Sequence, residues 1–293
     1  MGVGQHGQGR PGRLTVGHEA GVTNPRGREG RPGRTAVRAP ARRWRIAAAS
    51  MQGSSHEKMG LPCQDACVHR SLSGGIFVAA VADGAGSARY SDTGAAVAAK
   101  TAVDTIAAQA ALARLPEDDE AWRSLLVGAF DAARDAVERA AAELAASSRD
   151  LATTLILVVG TRHLVAVAQV GDGAAIVRDD AGEIGALTVP DNGEYLNETE
   201  FLVAPQALDA VQWAVRRGTP AHVAVLSDGL EMLALKMPDG VPHQPFFDPL
   251  FRFMADVGGE QEANHQLREF LGSTRIRERT DDDVTLLLAS LRG

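Results

Sequence analysis

The 293-residue chain is short of cysteine, aromatics and long apolar runs, and each shortage removes a class of protein. Its two cysteines, Cys63 and Cys67, form a CxxxC pair with no second Cys or His pair nearby, which is not a zinc signature. No apolar stretch follows the basic N-terminus as a signal peptide would require, and none approaches the length of a membrane span. The expectation is a soluble, cytoplasmic protein with no membrane partner. Aromatics are 4% of a chain that is 45% hydrophobic, so its core must be built from Ala, Val, Leu and Ile. Charge is unevenly placed along the chain, with acid outnumbering base beyond residue 45. Residues 1–45 hold ten Arg against Glu19 and Glu29, a balance of +8, which leaves −15 for the rest of a chain whose net charge is −7. An acidic body does not suit nucleic acid and does suit the gathering of carboxylates around cations.

What is present divides in two. Residues 1–42 are rich in Gly, Arg and Pro without hydrophobic periodicity, and such a segment cannot bury enough apolar surface to offset its ordering entropy. It reads as a disordered basic tail, followed by one domain over residues 43–293. In the domain, 44–50, 65–72 and 75–82 read as strands, the last an apolar run typical of a buried one. Residues 92–113 and 119–147 are Ala-rich at helical spacing, divided by Pro116 and the acids 117–120. Short strands at 152–160, 163–170, 174–180 and 183–189 suggest an antiparallel meander. Further strands are expected near 200–204, 211–216 and 221–227, a helical stretch over 246–272, and a last strand over 284–291. This order is α+β, with antiparallel sheets covered by helix pairs.

Three apolar strands end alike, on Asp83-Gly84, Asp172-Gly173 and Asp228-Gly229, and Asp281, Asp282 and Asp283 precede the last strand. A strand held in the core presents such a carboxylate at a rigid edge. If those edges meet, several anionic oxygens converge, and oxygen-only donors select Mg or Mn over zinc. A glycine after each Asp permits a sharp turn and a close approach. Taken singly, Asp-Gly is a common hairpin turn, the Asp triplet a solvated run, and Ser227-Asp228 a helix cap. Ser91, Asp92 and Thr93 read as the cap of the helix that follows, and Trp44, Trp122 and Trp213 as core or edge packing.

The segments GLPCQDA (60–66), VADGAGSARYSDTGA (81–95), ATT (152–154), QVGDG (169–173), LSDGL (226–230) and TDDDVTLLLASL (280–291), in that order, resemble the metal-dependent protein phosphatases of the PP2C type, especially their bacterial branch. The resemblance implies an α-β-β-α sandwich of two antiparallel sheets flanked by helix pairs. It implies hydrolysis of phosphoserine and phosphothreonine in proteins by water activated between two Mn2+ or Mg2+ ions. Asp83 would bridge the ions with the Gly84 carbonyl as a further ligand. Asp228 and Asp282 would complete the first ion's shell, Asp65 would act through bound water, and Asp172 would serve a third ion. Asp283 stands where many relatives carry Asn. The implied partners are a phosphorylated protein substrate and a cognate Ser/Thr kinase.

Two departures from the family pattern stand out. Relatives carry a phosphate-clamping Arg five residues before the position of Asp65, and here that residue is Gly60. His56, Lys58 and Arg89 are the candidates to supply the charge instead. Many eukaryotic members also carry a His after the Asp-Gly pair, which bacterial relatives often lack, and here it is Ala85. The missing clamp gives the competing reading: a catalytically weakened phosphatase-like module that binds a phosphorylated partner or regulates a kinase. Oxidation of Cys63 and Cys67, which flank Gln64-Asp65, would disturb the site.

Overall fold

A computed structural model describes Met1, residues 42–190 and residues 200–292. The tail expected over residues 1–42 lies almost entirely outside the described residues.

The first strand, β1 (Arg43–Met51), leads through a short helix α1 (Ser54–Met59) to β2 (Asp65–Leu72) and β3 (Ile76–Asp83). Two long helices follow, α2 (Ser91–Leu112) and α3 (Asp119–Glu143), then β4 (Leu155–Gly160), β5 (Leu164–Val170), β6 (Ala174–Asp179), β7 (Ile184–Thr188), β8 (Gln212–Arg217) and β9 (Pro220–Leu226). A short helix α4 (Glu231–Ala234) and a two-stranded ribbon, β10 (Leu235–Lys236) and β11 (Val241–Pro242), precede α5 (Gln244–Asp256), α6 (Glu260–Leu271), α7 (Thr274–Arg277) and the final strand β12 (Val284–Arg292).

Two five-stranded antiparallel sheets form, in the orders β1-β12-β9-β6-β7 and β2-β3-β4-β5-β8. The layers follow from the side-chain period of two along each strand. In β3, Phe77, Ala79 and Val81 face the other sheet, where they meet Ile46, Val225 and Leu287. Val78, Ala80 and Ala82 face outward onto α2 and α3, packing with Ala98, Ile106, Trp122 and Phe130. The first sheet turns Ala224, Leu226, Leu286 and Leu288 onto α5 and α6. The result is helix pair, sheet, sheet, helix pair, as the resemblance implies. Of the tryptophans, Trp44 packs edge-on to Phe77 at 4.7 Å and Trp122 is fully buried, while Trp213 stays 37% exposed on the edge strand β8.

Four sequence expectations are corrected. The strands from 152 to 189 are not one meander: β4 and β5 pair in one sheet, β6 and β7 in the other, and residues 171–173 carry the chain between them. Residues 201–204 are a turn rather than a strand, because buried Leu202 makes one backbone bond to the Thr153 carbonyl (2.9 Å) and no ladder. The helical stretch 246–272 is two helices, interrupted at Val257, Gly258 and Gly259, where glycine disfavours continuation. Tyr90, not a hydroxyl or carboxylate among residues 91–93, occupies the N-cap of α2, with no side-chain cap bond.

On the outer face of the first sheet His222 stacks on Phe251 (4.7 Å, 16° between planes) near Arg178 and Arg292. Burial, then the two guanidinium groups, pushes its pKa down to about 4. Between pH 6.5 and 4 the unfolded chain therefore binds a proton at this residue that the folded chain refuses, and stability falls as pH falls through that window. Because the ring is partly solvated, the loss should be about 1–2 kcal/mol rather than the full shift. Denaturant titrations at pH 7 and pH 4.5 should show a smaller pH-dependent loss for His222→Phe than for the parent protein.

Candidate metal centre

The carboxylates meet at the common end of the two sheets. Asp83 closes β3, and Asp65 opens β2 directly opposite it in the ladder. Asp172 lies on the crossover from β5 to β6, and Asp228 follows β9. Oxygens of Asp83, Asp172 and Asp228 all lie within 4.8 Å of one another. The sequence-derived aspartates are thus brought together from four chain segments and both sheets. Asp282 stands just outside this tight trio, solvent-exposed but close enough for its charge to act on Asp228.

Backbone and hydroxyl bonds hold each member in place. The Asp83 amide donates to Thr154 Oγ1 (3.0 Å), while its carbonyl accepts from the Thr154 amide (2.8 Å) and Thr153 Oγ1 (2.9 Å). Asp172 is set by its flanks. Buried Gln169 donates through Nε2 to the carbonyls of Gly171 (2.9 Å) and Gly173 (2.6 Å), closing the crossover from inside. Gly171 sits at φ +109°, where a side chain would be strained. Ser227 donates to Asp65 Oδ2 (2.8 Å) and accepts from the Thr285 amide (2.9 Å), tying β9 to β2 and β12. It is therefore not a helix cap of the ordinary kind, and its hydroxyl makes no capping bond.

Two of the Asp-Gly glycines also meet a packing constraint. A Cβ on Gly84 would come within 2.7 Å of Ser91, and on Gly229 within 2.1 Å of the Asp283 carbonyl. Neither residue has a positive φ, so a packing constraint, not a left-handed backbone, calls for glycine at both positions.

Electrostatically the cluster is unfavourable on its own. Burial, then Asp65 and Asp228, raises the Asp83 pKa well above the ordinary carboxylate range. Burial raises Asp65 to about 7 against the hydroxyl bonds that lower it, and raises Asp228 to about 6. Like charges opposed across a ladder repel, and buried carboxylates need a counter-charge. None is supplied by a basic side chain bonded to Asp65, Asp83 or Asp228 among the described residues. Buried oxygens Asp65 Oδ1 and Asp228 Oδ1 have no hydrogen-bond partner among the described residues. Acceptor atoms left over, oxygen donors only, and mutual distances under 4.8 Å fit hard divalent cations.

The remaining candidates separate. His56 is buried, its Nδ1 3.0 Å from Asp283 Oδ2 in an electrostatic contact rather than an aligned hydrogen bond. Lys58 and Arg89 are exposed, the guanidinium of Arg89 lying 4.9 Å from the centre of the Tyr90 ring. Gly60, in place of the expected Arg, ends α1 in the left-handed conformation (φ 69°), its amide bonded to the Glu57 carbonyl. Any L side chain there would be strained. The Cys63 and Cys67 thiols are pushed up to about 12, by burial first and then by Asp65, so neither is a ready thiolate for redox exchange.

Asp283 takes a role that the sequence did not assign to it, and Glu231 was not singled out from sequence. Asp283, 2% exposed, accepts from the amides of Gly53 (2.6 Å) and Gln64 (2.5 Å), pinning the loops on either side of α1 to the start of β12. Glu231, three residues after Asp228, has its pKa raised by burial and by Asp172 and Asp228, which places another carboxylate beside the cluster. Its position in the turn after Asp228 was the available signal.

Residues 52–272 match the family profile described as protein phosphatase 2C. The chain is 34% identical over 252 residues to Serine/threonine-protein phosphatase 3 of Escherichia coli (strain K12), covering 84% of this chain and 98% of that one. Among solved structures, serine/threonine phosphatase Stp1 from Staphylococcus aureus superposes with TM-score 0.58 at 16% identity, covering 85% of this chain and 95% of its own. The catalytic domain of the serine/threonine phosphatase PstP, in complex with two manganese ions, gives 0.53 at 18% identity, covering 86% and 100%. These two share the fold. With the profile spanning most of the domain and the curated relative spanning nearly all of it, the chain belongs to the protein phosphatase 2C family of serine/threonine phosphatases.

Proposed function

We propose that this protein removes phosphate from phosphoserine and phosphothreonine in proteins, using divalent ions held by its strand-end aspartates. The convergence of Asp83, Asp172 and Asp228 within 4.8 Å carries the reading, in a chain so closely related to a serine/threonine phosphatase. Asp83, the Gly84 carbonyl, Asp228 and Asp282 would hold two ions, Asp172 would serve a third, and Asp65 would act through water. Bound there, Mn2+ or Mg2+ supplies the Lewis acidity that activates water for in-line attack on phosphorus. The manganese ions of the PstP domain favour Mn2+.

The protein's own contribution is preorganisation. Thr153 and Thr154 fix the Asp83 backbone, Gln169 fixes the Asp172 loop, and Ser227 orients Asp65. With His56 buried against Asp283, Lys58 and Arg89 are the exposed members of the three phosphate candidates and the ones we propose meet an incoming phosphate. The reaction class that supplies its substrate is phosphoryl transfer to protein hydroxyls, so a Ser/Thr kinase is the natural partner. Purified protein with Mn2+ should release inorganic phosphate from phosphothreonine peptides and stop when EDTA is added. Metal-loaded protein that turns over neither such peptides nor an aryl phosphate would overturn the proposal in favour of a phosphate-binding module.

A further inference from the structure

Residues of α4, α5, α6 and α7 line a groove of about 500 Å³, within the size range of small-molecule sites, and none of the clustered carboxylates is among its lining residues. Its floor is apolar: Phe246, Phe253 and Phe270 are half-buried there, with Leu250 and Leu267 beneath them. Phe246 and Phe270 lie 6.2 Å apart and tilted at 54°, and both rings line the groove. Met232 on the rim is 78% exposed, an adaptable apolar side chain that no other described residue covers.

The charge around this groove is one-sided. Arg275 and Arg279, both exposed, stand on and just after α7, and His243 lines the groove at the start of α5. No carboxylate lines the groove, and neither Arg275 nor Arg279 forms an ion pair among the described residues. In a chain of net charge −7, a groove lined by unpaired arginines and no acid is a local reversal of sign. Aromatics concentrate on α5 and α6 and guanidinium groups on the α7 wall, so the groove has an apolar part and a cationic part. Guanidinium groups suit bidentate contact with a carboxylate or phosphate.

We propose that this groove binds a small anionic amphiphile, an apolar chain or ring system carrying one carboxylate or phosphate. The apolar body lies on Phe246, Phe253 and Phe270, and the head meets Arg275 and Arg279. The site is separate from the metal centre and independent of the activity proposed above. Its walls are nonetheless continuous with that centre, since α4 begins at Glu231, three residues after Asp228, and Arg279 precedes Asp281 by two.

The test uses the full chain and three probes of equal chain length below their micelle concentrations: dodecanoate, dodecyltrimethylammonium and dodecanol. Binding is followed by calorimetry and by the shift in thermal midpoint, so no phosphatase readout is needed. Dodecanoate should bind saturably at one site, with the other two at least ~10-fold weaker. R275E/R279E should lose about 10-fold or more of the dodecanoate affinity, and Met232→Glu, at an exposed position that does not threaten folding, should weaken it as well. Absence of saturable binding, equal binding of the cationic probe, or indifference to both variants would overturn the proposal. So would a concentration-dependent dimer that Met232→Glu abolishes, because the groove would then be an interface between copies.

Discussion

Asp228→Asn should lower Mn2+-dependent hydrolysis of phosphothreonine peptides by at least about 10³-fold, while the EDTA-treated variant melts at a higher temperature than the EDTA-treated parent. The two effects have one cause. Asp83, Asp172 and Asp228 place oxygens within 4.8 Å of each other, and Asp228 Oδ1 is buried without a hydrogen-bond partner. Without cations this arrangement is repulsive, so removing one charge relieves the fold. With cations the same charge is a ligand, and its loss weakens both their retention and the charge stabilisation they bring to the transition state, a contribution of several kcal/mol. Adding Mn2+ should raise the parent's thermal midpoint much more than the variant's, by the mass-action stabilisation that any native-state ligand confers. An Asn variant that kept full Mn2+-dependent turnover would remove Asp228 from the proposed metal shell. A metal-free variant less stable than the parent would mean that the carboxylate serves the fold rather than the ion.

Asp283→Ala is expected to have the largest effect on stability, about 3–5 kcal/mol, read as a drop in the denaturant midpoint. Asp283 is almost fully buried and accepts from two backbone amides, those of Gly53 and Gln64, with the His56 ring 3.0 Å away. Hydrogen bonds to a charged acceptor contribute about 1.5–3 kcal/mol each, and truncation would leave both amides buried and unpaired. For a domain of this size the loss corresponds to a fall of roughly 10 °C in thermal midpoint. Asp282→Ala is the control, since its side chain is exposed and its role is proposed to be metal binding. It should reduce Mn2+ affinity and lower apo stability by no more than about 1 kcal/mol, the cost of the single bond its Oδ1 accepts from the Asp283 amide (2.8 Å). Equal destabilisation by the two substitutions would refute this division of labour within the Asp triplet.

That division was not legible in the sequence. Three consecutive aspartates are chemically equivalent on the page. Chain direction gives them different surroundings: Asp281 offers its carbonyl to the Ser55 amide (2.9 Å), Asp282 faces solvent, and Asp283 turns under the loop. The same holds for His56, which chemistry nominated for phosphate and burial assigned to Asp283. Gly60 makes the point in reverse. From sequence it was a missing clamp; in the structure it is the left-handed end of α1, a position with a backbone reason of its own.

The sequence by itself determined the α+β class, most strand positions, and the recurrence of Asp at the ends of apolar strands, because periodicity and turn residues are local properties that survive without neighbours. The ordered motifs carried the family. The tertiary structure decided which of those aspartates share a site, that residues 171–173 bridge two sheets rather than turn within one, and that Asp172 belongs with Asp83 and Asp228 at 4.8 Å. It also decided that Gln169, Ser227 and Thr154 hold those carboxylates in place. These outcomes depend on which strand lies beside which, and on which amide a buried oxygen meets. Both are fixed by packing between segments as far as 230 residues apart, where a local pattern carries no information.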